Sequence, residues 1–263
     1  MAFDVGGTAI KFGLVDENFE VIFSEEFPTN TYKDTDNMVL RAMEAKLKEY
    51  EGQYDAVGIS TAGQVNFETS EINDGVSNIP NYNHTNLRNA FEPQFNVPVA
   101  VDNDVNCAAI GEAHFGAAKG AKDFLCLTYG TGVGGCIYIN GDVYRGSKYA
   151  AGEFGHMATH KDGRPCTCGR IGCYEAYAAC RVFTTSVSER MGKPMNGREI
   201  FEEENLKNPI IKEEIDNWED EIALGLRNLC YIFNPSLIVL GGGIMSEDML
   251  IRDIREKVDA QLE

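Results

Sequence analysis

The sequence predicts an α/β protein, and three features carry that prediction. Two β-hairpins turn on glycine-rich corners, at Gly6-Gly7 and at Gly130 to Gly135. Short apolar strands alternate with stretches of helical periodicity between and after them. A third glycine run, Gly241 to Gly243, separates a strand-like segment from a helical one.

Residues 1 to 15 read as a strand broken by Gly6, Gly7 and Thr8 and resumed through Ile10, Phe12 and Leu14, with a turn at Asp16, Glu17 and Asn18. A helical pattern runs from Asn37 to Lys48, a strand from Ala56 to Ser60, and another from Val97 to Val101 that leads into a helix over Val105 to Phe115. The hairpin design then returns: an apolar strand from Phe124, the second glycine corner, a strand through Cys136 to Ile139, and the turn Asn140-Gly141. The chain reads as internally duplicated. Helical patterns follow at Tyr174 to Arg190 and Glu213 to Phe233, then a strand at Leu237 to Leu240 and a last helix with Ser246 as N-cap and Glu247 and Asp248 in its first turn. No Pro- or Ser-rich linker interrupts this order, so two closely packed α/β domains are expected, 1–104 and 105–263.

Composition narrows the function. The 263 residues, 43% apolar, suffice for one large core or two modest ones. Lys+Arg is 23 against Asp+Glu 41, and the resulting charge of −18 repels nucleic acid and anionic lipid. No apolar run reaches the ~18–20 residues of a membrane span. The first residues lack a basic region followed by a long apolar one, so a cytoplasmic location is expected, with eight reduced cysteines. Cys107, Cys126, Cys136, Cys180 and Cys230 stand singly among apolar neighbours and read as small hydrophobes.

The glycines point to phosphate. A P-loop is absent from the sequence, and Gly130-x-Gly132-x-x-Gly135 is followed by a strand where a dinucleotide fingerprint needs a helix. Two corners whose backbone N–H groups are open to an anion remain, the first carrying Asp4 for a hydrated Mg²⁺ and Lys11 for phosphate charge. Cys166-x-Cys168-x4-Cys173 downstream of His156 has the donors of a closed structural zinc site, with His156 and His160 competing for the fourth place on spacing alone. Glu153 and Glu175 flank that loop. Asn103 and Asp104 follow a strand end; they suit a helix-capping turn, and Asp104 also suits the acceptor of an alcohol proton in phosphoryl transfer.

Taken together, Asp4-Val5-Gly6-Gly7-Thr8-Ala9-Ile10-Lys11, Asn103-Asp104-Val105-Asn106, Gly130 to Gly135, Gly152-Glu153-Phe154-Gly155-His156 and Cys166-Thr167-Cys168-Gly169-Arg170-Ile171-Gly172-Cys173-Tyr174-Glu175 resemble the ROK family of sugar kinases and sugar-responsive repressors. The resemblance runs almost end to end. It implies an actin-like ATPase (ribonuclease H-like) fold, with two α/β domains around a cleft, and ATP-dependent phosphorylation of a hexose or N-acylated aminohexose at a hydroxyl. Glucokinase-like activity leads, with N-acetylmannosamine or N-acetylglucosamine kinase as the alternative.

By motif, Asp4, Gly6, Gly7, Thr8 and Lys11 resemble the first ATP corner, Thr131, Gly132 and Gly134 the second, and Gly241, Gly242 and Gly243 the turn near adenosine. Asp104 resembles the catalytic base. Gly63, Asn78, Asn103, Asp104, Glu153, His156 and Glu175 resemble the sugar contacts, and the family places His156 with Cys166, Cys168 and Cys173 on zinc. A homodimer is likewise implied. Family repressors carry a helix-turn-helix region ahead of the first corner, whereas three residues precede Asp4 here, so a sugar-binding regulator is the lesser expectation. Two departures stand out: the family's final glycine- and alanine-containing helix is absent, and Tyr82 occupies a place where many relatives have tryptophan.

Overall fold

A computed structural model describes residues 1–32, 36–74 and 79–262. The chain forms two compact units, Met1–Ala108 with Arg145–Ala150, and Ala109–Tyr144 with Ala151–Glu263.

The first unit holds β1 (Ala2–Val5), β2 (Ala9–Val15), β3 (Val21–Pro28), α1 (Met38–Glu49), β4 (Val57–Thr61), β5 (Gln64–Asn66), β6 (Glu71–Asp74), α2 (Leu87–Phe95), β7 (Val99–Asn103) and the start of α3 (Asp104–Phe115). Its sheet has the order β3-β2-β1-β4-β7, antiparallel across the first three strands and parallel from β1 through β4 to β7. The Asn37 side chain caps α1 by accepting the Leu40 N–H, and Val39, Ala42, Met43 and Leu47 recur at helical spacing to bury one face. That face joins Phe3, Val5 and Ile59 in one apolar core, where each fully buried aliphatic side chain contributes about 1.5–3 kcal/mol.

The second unit continues with β8 (Phe124–Tyr129), β9 (Val133–Ile139), β10 (Asp142–Val143), α4 (Glu175–Ala178), α5 (Cys180–Met191), α6 (Gly197–Ile200), α7 (Pro209–Phe233), β11 (Ile238–Gly241) and α8 (Asp248–Leu262). Its sheet order, β10-β9-β8-β11, repeats the first: an antiparallel meander, then a parallel strand beside the hairpin's first strand. The duplication expected from the two glycine corners is therefore a duplication of topology. The 25-residue α7 starts at an Asn208 cap with Pro209 in its first turn and ends at a left-handed Asn234. Its buried stripe includes Ile211, Ile215, Trp218, Ile222, Leu226 and Leu229. Gly225 interrupts that stripe because the Tyr174 ring lies where a Cβ would stand.

Several expectations change. The helix read from Tyr174 to Arg190 is broken at Ala179, whose extended ψ of 138° frees the Arg181 N–H to donate to Gly130 O at 3.1 Å. Ser246 does not cap the last helix. It ends a 3₁₀ turn, its hydroxyl donates to Gly243 O at 3.0 Å, and α8 begins at Asp248. The two units divide between Ala108 and Ala109, inside α3, and Arg145–Ala150 belongs to the first unit, where Arg145 pairs with Asp102. Cys126 and Cys136 are buried and Cys107, Cys180 and Cys230 half-buried. Burial pushes the Cys107 and Cys126 thiols up to about 12, which fits inert packing groups. Among the described residues no helix is long and apolar enough to cross a membrane.

Candidate active site

In the first unit the expected residues collect at the carboxyl ends of the parallel strands β1, β4 and β7, the end of an α/β sheet at which ligands bind. Sheet register places Asp4 opposite Lys11 on one side and Ser60 on the other, and Ser60 opposite Asp102. The Ser60 hydroxyl donates to Asp4 Oδ1 at 2.9 Å. Gly6 N–H closes the corner on Ala9 O at 3.0 Å, and the buried Thr29 ties it to β3 by donating its hydroxyl to Gly6 O at 2.8 Å. Gly7, Thr8 and Lys11 stay exposed.

The Asp102-Asn103-Asp104 turn is both a cap and a platform. Asn103 Oδ1 accepts the N–H of Val105 at 2.9 Å and of Asn106 at 3.3 Å, while its amide donates to Gly63 O at 3.0 Å. Gly63 has φ +93°, which an L side chain adopts only under strain, and so presents that carbonyl to Asn103. Asp104 opens α3 and its carboxyl stays exposed to solvent. The dense protein around its base, followed by the Asp4 carboxylate, nevertheless raises its pKa above the ordinary 3.8, against the lowering by the Val105 N–H. Tyr82 is fully buried under Thr61, its hydroxyl 2.8 Å from Thr61 Oγ1, and belongs to the core.

In the second unit, Gly130 to Gly132 join β8 to β9. Arg181 holds this corner twice, by N–H to Gly130 O at 3.1 Å and by Nε to Thr131 O at 3.2 Å. A Cβ on Gly132 would stand 2.6 Å from Glu175 Oε2, so a larger residue there would push that carboxylate off the corner. Gly135 and Gly152 are similarly required, because β9 and the segment leading to Glu153 and His156 run backbone against backbone. Gly242 has φ +112° and lies against Tyr129 O, which sets the turn after β11.

His156, Cys166, Cys168 and Cys173 offer donor atoms that all lie within 4.8 Å of one another. The Cys168 and Cys173 sulfurs are 3.6 Å apart, and Cys166 Sγ is 3.9 Å from His156 Nδ1. A tetrahedral zinc about 2.3 Å from thiolate sulfur sets such neighbours about 3.8 Å apart, so donor types and spacing both fit that ion. His160 is engaged elsewhere: its ring stacks on Tyr177 at 4.0 Å and its Nε2 lies 3.7 Å from Glu221. Glu175 bridges this cluster to the glycine corner. Its Oε1 accepts from Cys166 at 2.9 Å and from the Thr167 hydroxyl at 3.2 Å and lies 3.7 Å from His156 Nδ1, while Oε2 faces Gly132.

The expected residues thus form two sets. Asp4, Gly6, Gly7, Thr8, Lys11, Gly63, Asn103 and Asp104 belong to the first unit, and Thr131, Gly132, Gly134, Glu153, His156, Cys166, Cys168, Cys173, Glu175 and Gly241 to Gly243 to the second. Asn78 lies outside the described residues. Sequence reasoning missed Thr29, Ser60, Arg145 and Arg181, which brace these sets from other elements. Only Ser60, on the strand beside Asp4, left a signal that strand pairing could have used.

The sequence model of the ROK family matches residues 1–263. A beta-glucoside kinase of Listeria innocua serovar 6a is 34% identical over 259 residues, covering 97% of this chain and 85% of that protein. A glucokinase of Halalkalibacterium halodurans is 30% identical over 283 residues, covering 98% and 84%. Among solved structures, a ROK family glucokinase from Streptomyces griseus in complex with glucose and AMPPNP superposes with a TM-score of 0.85 at 30% identity, covering 99% of this chain and 88% of that one.

Proposed function

The chain belongs to the ROK family, and from that premise we propose Asp104 as the general base of an ATP-dependent sugar kinase. The protein phosphorylates a sugar at the expense of ATP on an actin-like ATPase fold. One observation carries the assignment of the base: Asp104 sits at a strand-to-helix turn with its carboxyl exposed, beside Asp4 of the glycine corner, and its pKa is raised toward the range of a working base.

In this reading the acceptor hydroxyl gives its proton to an Asp104 carboxylate oxygen as its oxygen forms the new bond to the γ-phosphorus of ATP, and ADP leaves with the electrons of the broken P–O bond. Gly63, Asn103, Glu153, His156 and Glu175 are the proposed sugar contacts. The first corner, with Lys11, and the second, at Thr131, Gly132 and Gly134, hold phosphate. Asp4 would hold the Mg²⁺ that accompanies ATP, and that ion would supply charge neutralisation on the transferring group. We place adenosine beside Gly241 to Gly243, toward a cavity of about 740 Å³ lined by Ser188, Lys193, Met195 and Asn196. Ile244, after the glycines, packs against Gly197 next to that lining.

His156, Cys166, Cys168 and Cys173 would hold zinc, which in a four-ligand protein site organises the loop and supplies no reactive water. The acceptor is a hexose or an N-acylated aminohexose, with glucose or a glucoside leading. ATP- and Mg²⁺-dependent transfer measured across glucose, β-glucosides, mannose, fructose, N-acetylmannosamine and N-acetylglucosamine tests it. Transfer to glucose or a β-glucoside is expected to dominate; a clear preference for an N-acetylhexosamine would overturn that substrate, and no transfer to any sugar would overturn the kinase.

A further inference from the structure

Arg145 lies about forty residues downstream of the Asn103-Asp104 turn, at the point where the chain leaves β10 and re-enters the first unit. Its guanidinium grips one oxygen of Asp102 twice, Nη2 to Oδ2 at 2.6 Å and Nε to Oδ2 at 3.1 Å, and its centre lies 3.8 Å above the Phe67 ring. Both charged side chains are nearly buried, 12% and 7% exposed. The other Asp102 oxygen accepts the Asn103 N–H and the Asn106 amide, each at 2.8 Å. Asn103 in turn caps α3 and holds Gly63. Tyr149 of the same segment interacts electrostatically with Glu68, the residue after Phe67.

We propose that Arg145 is a positioning residue for phosphoryl transfer, acting through Asp102 to fix the Asn103-Asp104 turn against the sugar hydroxyl. The inference rests on Asp104 being the base. Asp102 has one direction in which to be pulled and one peptide to aim. With Oδ2 clamped by a planar two-bond fork, Oδ1 is set toward the N–H between Asp102 and Asn103, and the next peptide plane carries Asp104. A lysine would keep the charge but not the fork. A misplacement on the order of 1 Å at a reacting group costs on the order of 10²-fold in rate, so a side chain that never meets the substrate can govern turnover.

The charge matters as well as the fork. Without the guanidinium, the Asp102 carboxylate stands uncompensated beside a base already crowded by Asp4, and the Asp104 proton is held more tightly. Three variants separate these effects from a plain loss of stability: Arg145→Lys, Arg145→Gln, and Arg145→Gln combined with Asp102→Asn, each checked for its folded fraction by thermal unfolding. Expected for Arg145→Gln is a fall in kcat of about 10- to 100-fold, an ATP KM within about twofold of the parent, and an acid limb of the kcat–pH profile displaced to higher pH. Arg145→Lys restores the limb but only part of the rate, and the double variant also brings the limb back. A folded Arg145→Gln protein with kcat within about twofold of the parent would overturn the proposal, as would a rate loss that matches the unfolded fraction with the limb unmoved. Asp104→Asn run in parallel keeps the two claims apart: near-normal turnover there removes the base itself, whereas an inactive Asp104→Asn beside an unaffected Arg145→Gln removes only the role of Arg145.

Discussion

Asp104 is placed at a helix start, where the dipole and the Val105 N–H favour its charge, yet desolvation by the dense protein around its base, with Asp4, outweighs them and raises its pKa. The sign has two consequences. A carboxyl whose folded-state pKa is raised contributes stability that is full below its ordinary value of 3.8 and lost as pH rises through the higher folded value. Replacing Asp104 by Asn should therefore leave the melting temperature at pH 7.5 unchanged or higher, which calorimetry can check. The same shift moves the acid limb of kcat/KM above the ordinary aspartate value of 3.8, and a limb at or below that pH would contradict it. At this scale motif order in the sequence singles out Asp4, Asp104 and the cluster of His156, Cys166, Cys168 and Cys173, whose donor atoms the structure gathers. It was silent on Arg145, because nothing local to Tyr144-Arg145-Gly146 marks a partner so distant in the chain.

Elements with one strong face were legible and those without were not. The two glycine-cornered hairpins, α1 and α7 follow from alternation, caps and helical spacing. By contrast β3 exposes residues on both faces and ends in Pro28, so it lacks alternation, and α2 carries Pro93 inside with only Leu87 and Phe91 buried. The break at Ala179 was invisible because the freed Arg181 N–H goes to Gly130 O, about fifty residues away in the chain.

Two predictions belong here. Chelation, or Cys168→Ser, is expected to remove one zinc per chain and lower the melting temperature by about 5–10 °C, read by metal analysis and scanning calorimetry on the same sample. The second concerns the interface of α7 and α8. Glu219 is 3% exposed, its Oε1 has no hydrogen-bond partner among the described residues, and Lys257 Nζ is 4.0 Å from the other oxygen. Burial, with Asp253 nearby, pushes it up to about 7 from 4.5. Its contribution is present below pH 4.5 and lost as pH rises through about 7. Urea unfolding of Glu219→Gln should then show a gain of about 1–3 kcal/mol over the parent at pH 8 and little change at pH 4.5; equal effects at both pH values would refute it.

Across the whole chain, the same strand order occurs twice, each time with a glycine corner on the hairpin and a parallel strand beside it. The two proposed phosphate corners sit one on each sheet, and the sequence around them differs. The first copy carries Asp4, Lys11 and the Asn103-Asp104 turn; the second carries the cysteine loop and Glu175. A charge of −18 adds a molecule-wide expectation, because an acidic protein binds an anionic nucleotide only where local cations and backbone N–H groups outweigh that field. Lys11→Ala should accordingly raise the ATP KM by about tenfold or more while the sugar KM stays within about twofold, measured by initial rates.

The central claim is that Asp104 takes the sugar proton, and it is tested most directly by comparing parent and Asp104→Asn for both sugar binding and transfer from ATP in one preparation. Sugar affinity within about twofold of the parent is expected, with kcat reduced about 10²- to 10⁴-fold. Transfer by Asp104→Asn at a rate close to the parent's would contradict it.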